Sequence, residues 1–221
     1  MCHVEELFQT RAHMFRLMIR SAFQSKKRHL YLLGWFIPFW VSQGVRAAET
    51  RLVVSVPDQK MALLQDGSVV ERYSISTSRF GIGDRLGSYA TPRGLLTVAE
   101  KIGDRLQPGT VFKSRRPTGE VLPPNAPGRD PIVTRILWLK GLESCNSNSY
   151  QRCIYIHGTT EEKWLGRPVS WGCIRMRSRD VVRVFEAVPV GTKVEIAEKR
   201  LKEMVRAHSG DALLARAGGS E

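Results

Sequence analysis

The chain is poor in cysteine, poor in acidic residues relative to basic ones, and has no apolar run long enough to cross a bilayer. Its 221 residues include 4 cysteines, and 34 Lys/Arg stand against 21 Asp/Glu. A spanning helix needs about 20 apolar residues, and no stretch here reaches that length. With 42% hydrophobic and 25% charged residues, the composition also excludes a low-complexity or disordered chain. We therefore expect a globular protein with one sizeable core.

The N-terminal region has the pattern of a secretory signal. The basic cluster Lys26–His29 precedes the apolar stretch Leu30–Val41, and small residues follow it. Val45 and Ala47 fit the −3 and −1 positions, which predicts residues 1–47 as a signal cleaved after Ala47. The alternative is an uncleaved anchor, but Pro38 interrupts the stretch. Because the segment before the basic cluster is long for a signal, Met14 or Met18 are alternative starts.

The charge balance predicts an anionic partner. Residues 1–47 carry seven Lys/Arg and two Asp/Glu, so +8 of the total +13 remains on the mature chain. A cell-wall polymer, an anionic membrane surface or nucleic acid would suit that charge. Export to the periplasm or cell wall argues against nucleic acid, and cleavage of the signal leaves no stable membrane span. The alternative is an ordinary solvated basic surface.

The cysteines leave an odd thiol after signal cleavage, since Cys2 departs with the signal. Cys145 and Cys153 flank a polar turn between two strand-like segments, so we predict a hairpin with a Cys145–Cys153 disulfide and a free Cys173. The alternative is a zinc site of these three cysteines and His157. Structural zinc sites usually contain a close cysteine pair, which is missing here, so no metal is expected.

Strand signals dominate the mature chain and predict a mainly-β domain over residues 48–197, an antiparallel sandwich or barrel. Asp66–Gly67 marks a tight hairpin. One helix is expected after Cys173, with Ser178 as N-cap and apolar positions 181, 184, 185 and 188 on one face. Residues 103–131 are rich in Gly and Pro and predict an irregular insertion, a binding loop or a plain surface excursion. Residues 198–221 form a charged, helix-prone tail.

His157 and Cys173 are the candidate base and nucleophile. A free thiol needs a base or a positive field to become a thiolate, and an upstream histidine can serve that purpose in acyl transfer. The amides of Gly172 and Cys173 are candidate oxyanion donors, and Arg175 is a candidate site for a substrate carboxylate. Taken singly, a buried histidine or cysteine is more often structural.

Together these residues resemble a known family. Ile156–Thr159 followed by Ser170–Met176 is similar to the signature of L,D-transpeptidases of the YkuD type. Pro57–Met61, Ser74–Ser78 and Thr91–Gly94 resemble other landmarks of that family, and the likeness covers residues 51–197.

The resemblance implies an exported enzyme of peptidoglycan remodelling that needs no cofactor. Cys173 would attack a tetrapeptide stem after its diamino acid, with His157 as base and the Gly158 carbonyl orienting the imidazole. Ser170, Trp171 and Arg175 would contact substrate. A neighbouring stem, an envelope-protein amine or water would take the acyl group; with water the enzyme is an L,D-carboxypeptidase.

One residue departs from the usual pattern, since Trp171 stands where many relatives have histidine. The position contributes mainly backbone, so Trp171 is expected to shape the donor pocket. Two other classes compete with a transpeptidase: another cysteine acyl-transfer enzyme, such as a sortase or an amidase, and a non-catalytic basic wall-binding or zinc-stabilised module.

Overall fold

The computed structural model describes residues 48–217, with side chains as far as Gly210. The predicted signal, residues 1–47, lies outside the described residues. Ten strands and two α-helices follow in the order β1 (Thr50–Ser55), β2 (Lys60–Gln65), β3 (Ser68–Ser74), β4 (Gly94–Ile102), β5 (Thr110–Lys113), β6 (Arg116–Val121), β7 (Ile132–Gly141), β8 (Tyr155–Gly158), β9 (Ile174–Met176), α1 (Ser178–Ala187), β10 (Lys193–Ala197) and α2 (Leu201–Ala217). The mainly-β expectation is confirmed.

The strands form one mixed, open sheet rather than a purely antiparallel one. Its order is β3-β2-β1-β10-β4-β7-β5-β6, and β8 branches from β7 to pair with β9. The β1–β10 and β8–β9 pairs are parallel, and β10, which follows α1, lies beside β1 on the side opposite β2. The hairpin at Asp66–Gly67 is present between β2 and β3.

Helix α1 covers the sheet and closes the main core. Its predicted apolar face is confirmed, since Val181, Val184, Phe185 and Val188 are all at most 4% exposed. They pack in one cluster with Leu137 and other residues of β1, β4 and β7–β10. Burying a side chain of this size contributes about 1.5–3 kcal/mol, so this layer fixes the strands that carry the site.

Two local expectations need correction. Arg177, with extended backbone, is the N-cap of α1, and Ser178 is already its first helical residue. The 103–131 insertion contains the β5–β6 hairpin instead of irregular chain alone. The apolar residues Val111 and Phe112 are buried against β7. The free energy of this burial stabilises the strand despite the low strand propensity of the surrounding Gly and Pro.

The C-terminal tail is helical, as expected. At the start of α2, the Leu201 N–H donates to Asp58 at 2.8 Å. Leu201 and Met204 are buried against Val53 and Leu64. No helix among residues 48–217 combines the length and the apolar character that crossing a bilayer takes.

Candidate active site

The parallel β8–β9 pair brings His157 and Cys173 to one face of the sheet. His157 pairs with Arg175 in the register, and Cys173 lies one step before β9, opposite Tyr155. Alternate residues of a strand share a face, so the side chains of Cys173 and Arg175 lie on the His157 side. Cys173 follows His157 by sixteen positions in sequence, and the register makes the two residues diagonal neighbours across the β8–β9 pair.

His157 is buried and held by the next residue of its own strand. Its side chain is 5% exposed, and Nδ1 lies 2.7 Å from the Gly158 carbonyl oxygen. A carbonyl only accepts, so Nδ1 carries the proton and the Nε2 lone pair is available as a base. Burial lowers the histidine pKa well below its usual value, against the opposing effect of the Gly158 hydrogen bond. The imidazole is therefore neutral near pH 7.

Gly158 is sterically required beside this histidine. A Cβ there would lie 2.7 Å from the Val133 carbonyl oxygen and 3.0 Å from the Thr134 Cβ. Contacts that short do not occur, so any larger residue would push β8 away from β7. The close approach of these strands thus fixes the carbonyl that orients the ring.

Cys173 is also uncharged in the resting site. Burial raises the pKa of its thiol to about 11, although a hydrogen bond from the Tyr155 amide and the charge of Arg175 act in the opposite direction. The thiol donates to the Cys153 carbonyl oxygen at 3.5 Å. Both shifts, which burial causes, favour a neutral thiol and a neutral imidazole over a thiolate–imidazolium ion pair.

Residues 170–173, which we call the nucleophile loop, are held in place by Gly172 and by the neighbouring Thr91. Gly172 has φ +114°, and a Cβ there would lie 3.3 Å from the Ala90 carbonyl oxygen. Thr91 Oγ1 donates to the Gly172 carbonyl at 3.1 Å. The Gly172 N–H donates to Ser170 Oγ at 3.3 Å, a long bond that an oxyanion can replace. The oxyanion-hole assignment to Gly172 and Cys173 stays a prediction.

Ser170 braces this loop from inside. Its side chain is fully buried, and Oγ donates to the Cys173 carbonyl at 2.6 Å. The Ser170 N–H donates to the Thr77 carbonyl at 2.9 Å. The expected substrate contact is therefore replaced by a positioning role, because no surface of this side chain is available to a ligand.

Arg175 is paired with carboxylates of the protein itself. Its guanidinium lies 2.8 Å from Asp130 and 3.4 Å from Glu161, and the side chains of Arg175 and Asp130 are 12% and 10% exposed. The other oxygen of Asp130 accepts from Thr159 Oγ1 and from the Thr160 N–H, so one carboxylate joins Arg175 to the segment after His157.

A second buried ion pair supports the other side of the nucleophile loop. Arg152 lies 2.8 Å from Asp84, with both side chains at most 6% exposed. The Arg152 guanidinium also donates to the Gly83 and Ala90 carbonyls at 2.9 and 2.6 Å. Arg152 therefore holds the backbone at Ala90, which lies against Gly172.

The predicted disulfide is not formed, since Cys145, Cys153 and Cys173 are all free. Cys145 contacts other residues instead: its sulfur lies 3.7 Å from a Glu143 oxygen and 3.8 Å from the Arg93 carbonyl oxygen. Cys153 lies 3.7 Å from Arg115. Cys145 lies within a short 3-10 helix, Ser144–Asn146, rather than at the end of a strand.

The zinc alternative also finds no support in the geometry. Within the described part of the chain, no three His, Cys, Asp or Glu side chains gather in an arrangement that could hold a metal ion.

Sequence reasoning named the candidate base and nucleophile, His157 and Cys173, and missed the residues that support them. Asp130, Asp84 and Arg152 had no sequence signal, because the ion-pair partner of each lies at least 45 positions away in the sequence. Thr91 did have a sequence signal, since it belongs to the stretch Thr91–Gly94 that resembles the family. That stretch alone did not show the hydrogen bond from Thr91 to Gly172.

A buried histidine oriented by a backbone carbonyl and a cysteine on the same face of the β8–β9 pair together form a candidate acyl-transfer site. The comparisons give the family: the model of the YkuD L,D-transpeptidase catalytic domain matches residues 49–196. The chain belongs to this family.

Its relatives carry the same name. The putative L,D-transpeptidase YqjB of Bacillus subtilis is 29% identical over 162 residues, covering 73% of this chain and 79% of the relative. The probable L,D-transpeptidase ErfK/SrfK of Escherichia coli is 31% identical over 173 residues, 75% of this chain but 47% of the relative. L,D-transpeptidase 3 from Mycobacterium tuberculosis, in complex with a faropenem-derived adduct, aligns with a TM-score of 0.46 at 20% identity over 69% of this chain and 61% of that one. The chain thus spans only about half to four fifths of these relatives.

Proposed function

We propose that this chain is an exported cysteine L,D-transpeptidase that acts on tetrapeptide stems of peptidoglycan through an acyl-enzyme on Cys173. The observation that carries the proposal is the 2.7 Å hydrogen bond between His157 Nδ1 and the Gly158 carbonyl. It leaves Nε2 unprotonated on the face shared with Cys173, as a general base requires.

The first step is acylation. As the Cys173 sulfur attacks the carbonyl of the diamino acid, His157 Nε2 takes the thiol proton. The C–N bond to the terminal D-alanine then breaks, and the imidazolium gives its proton to the leaving amine. Because both groups start neutral, charge develops only as the bond forms. The amides of Cys173 and Gly172 are the proposed donors to the oxyanion.

The second step transfers the acyl group to an amine. The acceptor nitrogen attacks the thioester, His157 takes its proton, and the thiol is restored. With another stem as acceptor the product is a 3→3 cross-link, and with an envelope-protein amine it is an anchored protein. The basic charge of the chain after residue 47, +8, suits an anionic wall.

The test is incubation of purified enzyme with disaccharide-tetrapeptide, with and without D-methionine, followed by mass analysis. We expect a dimer one D-alanine lighter than two monomers, and an exchanged stem when D-methionine is present. The matched control is Cys173→Ala, which must form neither. Equal products from that variant would overturn the assignment, and tripeptide alone would make the enzyme a carboxypeptidase.

A further inference from the structure

Three aromatic rings form a cluster on the surface beside the nucleophile loop. Trp171, two residues before Cys173, has its ring centroid 5.2 Å from Phe80 and 5.3 Å from Tyr89, both edge-on. The Arg79 guanidinium lies 4.3 Å from the Trp171 ring centroid. We call these three rings the aromatic platform.

The platform is unusually exposed. Phe80, Tyr89 and Trp171 are 48%, 53% and 52% exposed. Among the described side chains, the only other aromatic residue with comparable exposure is Trp164, which lines the same cavity as Trp171. Among the described side chains, exposed aromatic residues thus cluster around Trp171, two positions before Cys173. A contiguous apolar patch of this kind marks a binding surface.

The platform is also built to stay in place. Ser78 Oγ donates to the Tyr89 carbonyl at 2.6 Å, and the Arg79 N–H donates to the Ser170 carbonyl at 3.2 Å. Tyr89 has φ +54°, a conformation that costs free energy in a residue other than glycine and that persists where the surroundings impose it. The backbone that carries Phe80 and Tyr89 is therefore tied to the segment that leads to Cys173.

Size and charge indicate the ligand. A buried aromatic side chain covers about 150–250 Å², so three half-exposed rings offer well under the roughly 800 Å² that each partner contributes to a stable protein interface. The area matches the flat C–H face of a pyranose ring. Next to it lies a cavity of about 560 Å³ lined by Arg79, Arg167, Glu161 and Trp164, which suits an anionic peptide attached to that sugar.

We propose that Phe80, Tyr89 and Trp171 bind the sugar that carries the stem peptide, so that the enzyme prefers glycan-linked stems to free stem peptides. This inference rests on the proposed function, because it gives the same site its substrate form. It assigns to Trp171 a contact with the glycan in addition to any with the peptide.

The kinetic test compares kcat/KM for disaccharide-tetrapeptide and for the free tetrapeptide. We expect the wild type to favour the disaccharide form, and Phe80→Ala to lower that preference about fivefold to tenfold, mainly through KM. Tyr89→Asn gives an independent variant, since asparagine tolerates positive φ. Val190→Ala, at another exposed apolar residue, is the matched control and should keep the wild-type preference.

A binding test separates this inference from the catalytic one. Peptide-free glycan strands are titrated calorimetrically into Cys173→Ala, with and without Phe80→Ala. We expect binding that the second substitution weakens. The inference would be overturned if the glycan strands do not bind, or if both platform variants keep the wild-type preference for the disaccharide form. It would also be overturned if the variants change only the reaction with the acyl acceptor. Absence of product from either substrate with the wild type would instead refute the proposed transpeptidase.

Discussion

Asp130 holds Arg175 in place, with the carboxylate 2.8 Å from the guanidinium and both side chains nearly buried. The same carboxylate accepts hydrogen bonds from the segment that follows His157. One acidic residue therefore links β9, which carries Arg175, with the segment that follows β8, the strand of His157. Arg175 thereby acts inside the site as a fixed positive charge.

Removing that link should loosen the site and the fold together. Asp130→Ala leaves Arg175 as a buried, incompletely paired charge, and breaking such a pair costs about 3–5 kcal/mol. Urea unfolding followed by circular dichroism measures this loss. Glu161→Gln is the control, because Glu161 is 38% exposed and exposed pairs contribute only about 0–1 kcal/mol. Equal losses in the two variants would contradict the role given to Asp130.

Arg152→Ala should destabilise the other wall of the nucleophile loop. It leaves Asp84 buried without its cation and frees the Gly83 and Ala90 carbonyls, so we expect a loss of about 3 kcal/mol or more and lower activity. The comparison is Arg183→Ala, whose pair with Glu71 is 60% and 34% exposed and should cost less than about 1 kcal/mol. A mild effect of Arg152→Ala in denaturant titrations would show that the network is dispensable.

Gly172→Ala tests the shape of the loop. The substitution forces a left-handed φ on alanine and adds a Cβ 3.3 Å from the Ala90 carbonyl, so it should cost about 1–3 kcal/mol and most of the turnover. Gly191→Ala separates the two effects, since Gly191 has φ +91° with nothing within 4 Å of its added Cβ. It should lose stability but keep turnover. Full activity in Gly172→Ala would rule out a demanding loop geometry.

The pH dependence of Cys173 alkylation distinguishes a neutral pair from an ion pair. Burial raises the thiol pKa to about 11 and lowers that of His157, so the thiolate fraction grows only on the alkaline side. The iodoacetamide rate at Cys173, followed by peptide mass spectrometry, should rise about tenfold per pH unit between pH 6 and 10. A plateau across neutral pH would reveal a thiolate–imidazolium pair instead.

Local sequence patterns predicted much of the fold, and they named His157 and Cys173 as the candidate base and nucleophile. The strand-like segments on either side of the polar turn, the Asp66–Gly67 turn and the apolar face of α1 are short-range signals, and they are confirmed. The β5–β6 hairpin was missed because Val111 and Phe112 gain their burial from β7. The disulfide prediction was wrong, since spacing alone does not show that Cys145 lies in a 3-10 helix with contacts of its own. Asp130 and Arg152 depend on long-range pairing, for which a single sequence carries no local signal.

The central claim is that Cys173 carries the acyl group, and intact-protein mass spectrometry tests it most directly. Enzyme mixed rapidly with disaccharide-tetrapeptide and quenched in acid should gain the mass of the substrate less D-alanine, with the adduct mapped to the Cys173 peptide. His157→Gln should form it far more slowly, and Cys173→Ala should not form it at all. An adduct on Cys145 or Cys153, or an undiminished adduct in Cys173→Ala, would contradict the account.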